Sequence, residues 1–211
     1  MAHTNLEKSV ASKVDSTVPI VIAAGGNGSR IGGSKHARLL AGQSLLDRAI
    51  DWANTHANKI AIAVRSVDQI VIPGIPLLTD EQVDIGPISA LSSAFAFAAT
   101  HNHLRVLVIG CDMPFLPDDL LLRLKEAIGE GGCAMPVSAG KDHPMAAMWR
   151  VDRPVLKDYI ANGGRSLWSF AEASGAVRVS WESEPKQDPF ANINDERALT
   201  EARHRLKRQA R

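Results

Sequence analysis

Three short and almost wholly apolar runs constrain the fold of this chain more than any other feature. They are Val18–Ala23, Lys59–Val64 and Leu104–Gly110. A run of this kind is typical of a strand that is buried on both faces, as in a parallel sheet. Segments with the apolar spacing of helices separate these runs. The alternation of strands and helices predicts an α/β chain with a three-layer α/β/α fold and a mostly parallel sheet.

The same patterns predict where individual elements begin and end. Ser44 is suited to cap the first helix, and Gly86–Thr100 is expected to be a buried helix. Pro117 is expected to open the next helix, because proline suits the first helical turn. Further along we predict a strand over Pro144–Arg150 and a last helix over Asp195–Gln209.

Length and composition favour one globular domain with polar ends. The chain has 211 residues, and 45% of them are hydrophobic. We expect a disordered polar tail over residues 1–17 and a single domain over residues 18–202. The basic segment 203–211 is expected to be the solvated face and frayed end of the last helix.

Charge and cysteine content exclude several classes of partner. The net charge is only +1, which argues against a nucleic acid or an acidic membrane surface as partner. No apolar run approaches the roughly 18 residues that a membrane span needs. Cys111 and Cys133 are too few for a disulfide framework and suit a reducing cytoplasm, where we expect both to be buried.

A glycine-rich loop follows the first apolar run and carries two cations. The segment Ile22–Lys35 reads IAAGGNGSRIGGSK and contains five glycines. The dinucleotide pattern GxGxxG fails because its last position is Ile31, and the P-loop pattern fails because Ser34 precedes Lys35. A loop of this composition can instead wrap a nucleoside triphosphate with backbone N–H groups. Arg30 and Lys35 would then neutralise phosphate oxygens as pyrophosphate leaves.

Five motifs in a fixed order carry a family resemblance over about Val18–Leu199. The glycine loop resembles the LAGGxSxRMGxxK pattern of sugar-nucleotide-type nucleotidyltransferases, and among these the chain is most similar to the molybdenum cofactor guanylyltransferases. The four further matches are Gly86-Pro87-Ile88-Ser89-Ala90, Cys111-Asp112-Met113-Pro114, His143-Pro144 and Phe190-Ala191-Asn192-Ile193-Asn194-Asp195. Arg65 departs from the family, which often places an Asn after its second strand.

The resemblance implies a fold, a reaction and a set of partners. The fold would be a Rossmann-like nucleotidyltransferase fold, with a nucleotide-binding part over residues 18–115 and an acceptor-binding part over residues 116–202. The reaction would be Mg²⁺-dependent transfer of GMP from GTP to the terminal phosphate of molybdopterin, which releases pyrophosphate. Molybdopterin in this step either lacks or already carries molybdenum, and molybdoenzyme maturation proteins are further candidate partners.

The resemblance also implies the residues of the nucleotide site. Arg30, Lys35 and Asp112 would be catalytic, and Asp112 would hold the metal from the carboxyl end of its strand. We expect Asp112 to lie above the sheet, outside the packed core. Asp80 matches an aspartate used at the nucleotide, although a plain turn residue and a competing role for Asp84 are alternatives. The implied nucleotide-binding residues are Ala23, Ala24, Gly25, Gly26, Lys35, Asp80, Gly86 and Asp112.

Four residues are implied on the acceptor side, each with a structural alternative. His143 is expected either to bind phosphate or to shape its turn. Arg165 is expected to contact the acceptor phosphate or to be a surface residue before a helix. Asn192 and Asn194 alternate, so that an extended backbone would place both on one face. Their amides would contact the acceptor or a metal-bound water, or they would cap the last helix.

Rival functions share the predicted fold. One is cytidylyl transfer, or transfer to a sugar phosphate or another alditol phosphate. Another is a catalytically silent nucleotide-binding regulator, against which the presence of Arg30, Lys35 and Asp112 argues.

Overall fold

A computed structural model describes residues 18–25, 35–79 and 86–209 of the chain. Ten strands lie within these ranges: β1 Ile20–Ala23, β2 Leu39–Leu40, β3 Gln43–Ser44, β4 Ile60–Val64, β5 Leu77–Thr79, β6 Arg105–Gly110, β7 Cys133–Ser138, β8 Lys141–Asp142, β9 Met148–Arg150 and β10 Ala176–Trp181. Six α-helices lie there too: α1 Leu45–His56, α2 Pro87–Thr100, α3 Leu120–Ala127, α4 Arg153–Ala161, α5 Leu167–Ala173 and α6 Glu196–Gln209.

The central sheet has the strand order β10-β7-β9-β6-β1-β4-β5, with β8 paired to β7. Strand β1 is parallel to both β4 and β6, and β4 is parallel to β5. Strand β9 runs antiparallel between β6 and β7. The chain first adds β4 and β5 on one side of β1 and then adds β6 on its other side. The gap between β1 and β6 is therefore the switch point of a doubly wound sheet.

Helices cover both faces of this sheet because consecutive strand residues point to opposite sides. Ile20 and Ile22 of β1 pack in a core cluster with residues of α1 and α3. Val21, between them, packs in a second cluster with residues of α2, α4 and α5. The predicted three-layer α/β/α fold with a mostly parallel sheet is therefore confirmed.

The start of α1 shows how closely local sequence can specify an element. Its N-cap is Ser44, whose side-chain oxygen accepts a hydrogen bond from the Asp47 amide at 3.0 Å. Leu45, Leu46 and Ala49 on the predicted apolar stripe are buried. The sequence-based prediction of this helix is confirmed.

Two predicted element boundaries are wrong, each for a local or tertiary reason. Helix α3 begins at Leu120, three residues after Pro117, and its cap Asp119 accepts from the Trp181 indole at 3.0 Å instead of from the first amides of the helix. The segment Pro144–Arg150 is a strand only over β9. Its first part forms a 3₁₀ turn closed by the Ala146 amide and the His143 carbonyl at 3.0 Å.

The short hairpin β2–β3 has no counterpart among the predicted elements. Its two strands are antiparallel and only two residues long each. Ala41 at the turn has a φ of 52°, a conformation that sequence rules reserve for Gly or Asn. The hairpin continues a 3₁₀ turn over Lys35–Ala37, so that it links the glycine-loop region to α1.

Both cysteines are free and buried, as the sequence predicts. Burial raises the pKa of the Cys133 thiol well above its usual range, and the nearby Glu172 carboxylate adds to the effect. None of the helices in the described ranges combines the length and the apolar character needed to cross a bilayer.

Candidate active site

The carboxyl ends of three parallel strands bring distant segments to one edge of the sheet. Ala23 of β1 is in register with Ala63 of β4 and with Gly110 of β6. The residues that follow these strands, Gly25, Arg65 and Asp112, therefore emerge at the same edge. Ligands of open α/β sheets bind at such an edge, next to the switch point.

Asp112 lies immediately beyond β6, and its side chain folds back over the strand end. A Cβ atom at Gly110 would lie 2.5 Å from Asp112 Oδ1, so only glycine leaves room for this carboxylate. Asp112 is only 9% exposed. The expectation that it lies outside the packed structure is therefore wrong, because the turn after β6 is covered by other segments.

The segment Asn192–Asn194 is one of those coverings. The Ile193 amide donates a hydrogen bond to the Asp112 carbonyl at 2.9 Å. Ile193 is buried, whereas Asn192 and Asn194 are exposed on either side of it. Asn192 and Asn194 consequently lie beside the Asp112 turn. The side chain of Asp195 accepts a hydrogen bond from the Ala198 amide at 2.7 Å and so contributes a cap to α6.

The backbone at the end of β1 is largely engaged by the sheet. The Ala23 carbonyl accepts from the Cys111 amide at 3.1 Å, and the Ala24 amide donates to the Ala63 carbonyl at 2.9 Å. Gln69 Nε2 approaches the Ala24 carbonyl at 3.4 Å. Each of these carbonyls has one partner and keeps a second lone pair that can accept from a ligand.

Gly25 and Arg65 lie against each other at this edge. A Cβ atom at Gly25 would lie 3.3 Å from Arg65 Cγ and 3.4 Å from its backbone nitrogen. The Arg65 amide donates to Gln69 Oε1 at 3.3 Å. Glycine is thus needed for close packing here. The residue that departs from the family pattern is next to the predicted nucleotide loop.

Several predicted nucleotide-site residues lie outside the described residues. These are Gly26, Arg30 and Asp80, together with the alternative Asp84. Lys35 begins the 3₁₀ turn Lys35–Ala37. Their predicted roles stay predictions.

Gly86 caps the N-terminus of α2 with a backbone that other residues avoid. Its φ of 81° and ψ of −159° fall in a region that is essentially restricted to glycine. Both the amide and the hydroxyl of Ser89 donate to its carbonyl, at 3.1 and 2.7 Å. Because the N-terminus of a helix favours anions, Gly86 opens a helix end suited to phosphate.

His143 is buried within a polar network of the acceptor-side half. Its Nε2 lies 3.0 Å from Ser138 Oγ and 3.8 Å from Asp188 Oδ2. Ser138 Oγ donates to Asp188 Oδ1 at 2.5 Å, so the hydroxyl accepts its second hydrogen bond from His143 Nε2–H. The ring stacks on Phe190 with centroids 5.0 Å apart. These contacts favour the turn-shaping alternative for His143.

Burial lowers the pKa of His143 below its usual 6.5, and the carboxylate of Asp188 opposes this shift. At neutral pH, the uncharged imidazole is therefore the favoured form of His143 in the folded protein. A neutral ring is a hydrogen-bonding partner rather than a phosphate-binding cation.

Arg165 lies in the exposed turn between α4 and α5. Its Nη1 donates to the carbonyls of Ile160 and Gly164, at 3.0 and 2.7 Å. The turn is packed so closely on the Tyr159 ring that a side chain at Gly164 would collide with it. Because α4 starts beside the amino end of β6 and runs back along the sheet, this turn lies towards the carboxyl edge.

Sequence reasoning missed three residues that organise this side: Ser138, Asp188 and Arg205. Asp188 lies shortly before the Asn192–Asn194 motif, which is a weak signal for it. Ser138 and Arg205 have no sequence signal, because their partners are distant along the chain.

Comparison with known proteins defines the class and the family. Residues 20–182 match the MobA-like NTP transferase domain. A molybdenum cofactor guanylyltransferase of Cereibacter sphaeroides is 31% identical over 195 residues, which cover 90% of this chain and 97% of that protein. The enzyme of that name from Rhodobacter capsulatus is 32% identical over 193 residues, with 90% and 97% covered.

Solved structures agree on the fold. Molybdopterin-guanine dinucleotide biosynthesis protein A of Archaeoglobus fulgidus superposes with a TM-score of 0.72 at 19% identity, covering 90% of this chain and 100% of that one. A 2-C-methyl-D-erythritol 4-phosphate cytidylyltransferase of Thermus thermophilus gives 0.66 at 16% identity, with 90% and 99% covered. The fold is that of a Rossmann-like nucleotidyltransferase. The chain belongs to the MobA-like NTP transferase family, as the resemblance of its motifs predicts.

Proposed function

We propose that this protein transfers GMP from GTP to the terminal phosphate of molybdopterin and releases pyrophosphate. The observation that carries the proposal is the bond between the Ile193 amide and the Asp112 carbonyl. This bond joins the Asp112 turn, at the predicted nucleotide edge, to the segment that carries Asn192 and Asn194. The exposed side-chain amides of these two residues are suited to hydrogen-bond an acceptor. The relatives' name, molybdenum cofactor guanylyltransferase, supports guanylyl transfer to an acceptor of this class.

The chemistry asks the protein for positioning and charge neutralisation. An acceptor phosphate oxygen attacks the α-phosphorus of GTP, a new P–O bond forms, and the bond to the bridging oxygen of pyrophosphate breaks. A phosphate monoester has a second pKa of about 6, so it is already a nucleophile at neutral pH. The protein therefore needs no strong general base, and in-line alignment supplies most of the rate.

The residues at the edge fit a magnesium ion that arrives with the nucleotide. Mg²⁺ is usually held by one or two carboxylates together with substrate phosphates. Within residues 18–25, 35–79 and 86–209, no three His, Cys, Asp or Glu side chains form a metal-binding group. Asp112 at the strand end is the carboxylate that would hold the ion, with Asp80 as a second candidate. When bound, the ion would supply charge neutralisation on the phosphates.

The other predicted site residues would bind the triphosphate or the acceptor. Arg30 and Lys35 of the glycine loop would neutralise the triphosphate, and Gly86 would offer the N-terminus of α2 to it. Asn192, Asn194 and Arg165 would orient the acceptor. For Arg165 this requires that its guanidinium, which has five donors, keeps further N–H groups for the phosphate.

A direct assay tests the proposal with two nucleotides and an acceptor control. The protein is incubated with α-³²P-labelled GTP or CTP, with and without molybdopterin and Mg²⁺, and the labelled dinucleotide and pyrophosphate are measured. We expect product only with acceptor and Mg²⁺ present. We expect GTP to be used more than about tenfold better than CTP, because a site built to hydrogen-bond one base leaves groups unpaired with another.

Each alternative has its own result in this assay. Equal or better use of CTP would move the protein to cytidylyl transfer. Product with a sugar phosphate in place of molybdopterin would reassign the acceptor. Nucleotide binding without any transfer would identify a regulator.

A further inference from the structure

One arginine of the basic C-terminal segment differs from the solvated residues expected there. Arg205 on α6 is half-buried. Its Nη1 donates to the Asp188 carbonyl at 2.7 Å. Its guanidinium carbon also lies 3.9 Å from the centroid of the Phe115 ring, directly over the ring. The prediction that segment 203–211 is only a solvated face and frayed end is therefore wrong for this residue.

The two contacts of Arg205 reach the two segments that form the candidate site. Phe115 belongs to the turn that begins with Asp112. Asp188 lies at the start of the segment that leads to Asn192 and Asn194. Since the Ile193 amide bonds to the Asp112 carbonyl, these segments also touch each other directly. Arg205 is thus a second bridge between them.

Asp188 extends this bridge to the acceptor-side half. Its carboxylate accepts hydrogen bonds from Ser138 Oγ at 2.5 Å and from the Phe190 amide at 2.8 Å. It is only 7% exposed. Its carbonyl accepts from Arg205, and its carboxylate accepts from Ser138 and from the Phe190 amide, so both ends of this residue are held. The segment after it consequently starts from a fixed point.

The contacts require the particular shape of an arginine side chain. A planar guanidinium can stack on an aromatic ring and donate from its edge at the same time. A lysine ammonium is a compact point charge, so it can replace the charge but not both contacts together. Leu206 and Ala202, next to Arg205 on α6, pack in the same cluster as Phe115 and Ile193, so the helix itself is fixed against both segments.

We infer that Arg205 is a positioning residue that holds the Asp188–Asn194 segment against the Asp112 turn and so sets the geometry of the acceptor. The kinetic part of this inference rests on the proposed function. The structural part does not, because it concerns bonds between residues of the chain.

The test compares three variants of the full-length chain. Arg205→Met removes the charge and the donors, and Arg205→Lys retains the charge alone. Arg197→Met is the matched control, since Arg197 is an exposed arginine of the same helix whose Nε pairs with Glu201 at 3.0 Å. Hydrogen exchange of the Ile193 and Phe190 amides is measured by NMR, together with exchange of β1 amides as an internal reference. The KM for molybdopterin and the KM for GTP are measured separately.

We expect Arg205→Met to lower the protection of the Ile193 and Phe190 amides roughly tenfold or more, while β1 amides stay protected. The KM for molybdopterin should rise by a similar factor, and the KM for GTP should stay within about twofold. Arg205→Lys should recover part of both effects, and Arg197→Met should resemble the unchanged protein.

Unchanged protection of both amides in Arg205→Met overturns the inference, whatever happens to turnover. An equal loss of protection in β1 also overturns it, because Arg205 would then act on global stability. If the unchanged protein transfers no GMP while the two amides still lose protection in Arg205→Met, the proposed function fails and the anchoring role of Arg205 stands.

Discussion

At the scale of single residues, Asp112 lies at the carboxyl edge of the sheet, and most of its surface is buried. The carboxylate follows β6, folds over Gly110 and is covered by the segment around Ile193. A carboxylate at this edge of the sheet is suited to a cation that arrives with a phosphate ligand. Asp112 is therefore the residue on which the proposed reaction depends most directly.

The first prediction is that Asp112→Asn lowers guanylyl transfer by at least about 10²–10³-fold, because the charge that attracts a hard dication is lost. The side chain keeps its size, so the thermal unfolding temperature should change little. Asp118→Asn, an exposed carboxylate in the same loop, is the matched control and should keep its activity. Mn²⁺ should restore more activity than added Mg²⁺, because Mn²⁺ binds neutral oxygen ligands more readily. Ordinary activity and ordinary Mg²⁺ dependence of a folded variant would move the metal role to Asp80.

The second prediction concerns the pH dependence that His143 confers on stability. Burial holds its pKa in the folded protein below the usual 6.5, so the unfolded chain binds the proton first as the pH falls. The stabilisation by the neutral ring is present above pH 6.5 and is lost as the pH falls towards the folded pKa. The free energy of unfolding should therefore decrease between about pH 7 and pH 5.5, by at most about 1.4 kcal/mol per pH unit from this group.

Denaturant titrations of the unchanged protein and His143→Gln measure this effect. Glutamine keeps a donor for Ser138 and cannot take up a proton in this range. The difference in unfolding free energy between the two proteins should shrink as the pH falls. A constant difference across the range would show that His143 does not titrate differently on folding.

At the scale of elements, a small third core cluster connects α6 to the hairpin that follows the glycine loop. It contains Leu40 of β2, Leu45 of α1 and Ile193, together with Leu199 and Ala202 of α6. The Arg38 guanidinium also pairs with Glu196 at 2.7 Å. The C-terminal helix therefore supports both the hairpin after Lys35 and the segment beside Asp112. One element stabilises both halves of the site.

The third prediction is that Leu199→Ala lowers the free energy of unfolding by about 2–5 kcal/mol, the usual cost of a large-to-small change in a core. Leu199 is 3% exposed and packs between the hairpin and Ile193. Denaturant unfolding is the measurement, and Val155→Ala on α4 is the control, because Val155 is 49% exposed and should cost little. Equal losses in the two variants would contradict the role of this cluster.

At the scale of the whole molecule, the sheet order determines which segments meet. The β1–β6 pairing brings Ala23 beside Gly110, and the antiparallel β9 adds the β7–β10 half to the same sheet. The predicted nucleotide-binding part and the predicted acceptor-binding part thus contribute strands to one continuous sheet. Two segments at its carboxyl edge complete the candidate site. One is the Asp112 turn after β6, and the other is the Asn192–Asn194 segment before α6.

Features that arise from local patterns could be predicted from the amino-acid sequence. Apolar runs, helical spacing and Ser44 as a cap specify strands and helices through short-range geometry, and these predictions are confirmed. The ordered motifs around Asp112, His143 and Asn192 also identify the family, because they retain residue types at fixed positions.

Contacts between distant side chains, in contrast, depend on how the chain folds. The burial of Asp112, the pairing of Ile193 with its carbonyl and the network of Ser138, His143 and Asp188 join segments that no periodicity connects. The hairpin turn at Ala41 also departs from local preference, because the two-residue connection between β2 and β3 has a positive φ at both Ala41 and Gly42. Local sequence records backbone preferences and the face that is buried, whereas contacts between distant segments depend on the order of the strands in the sheet.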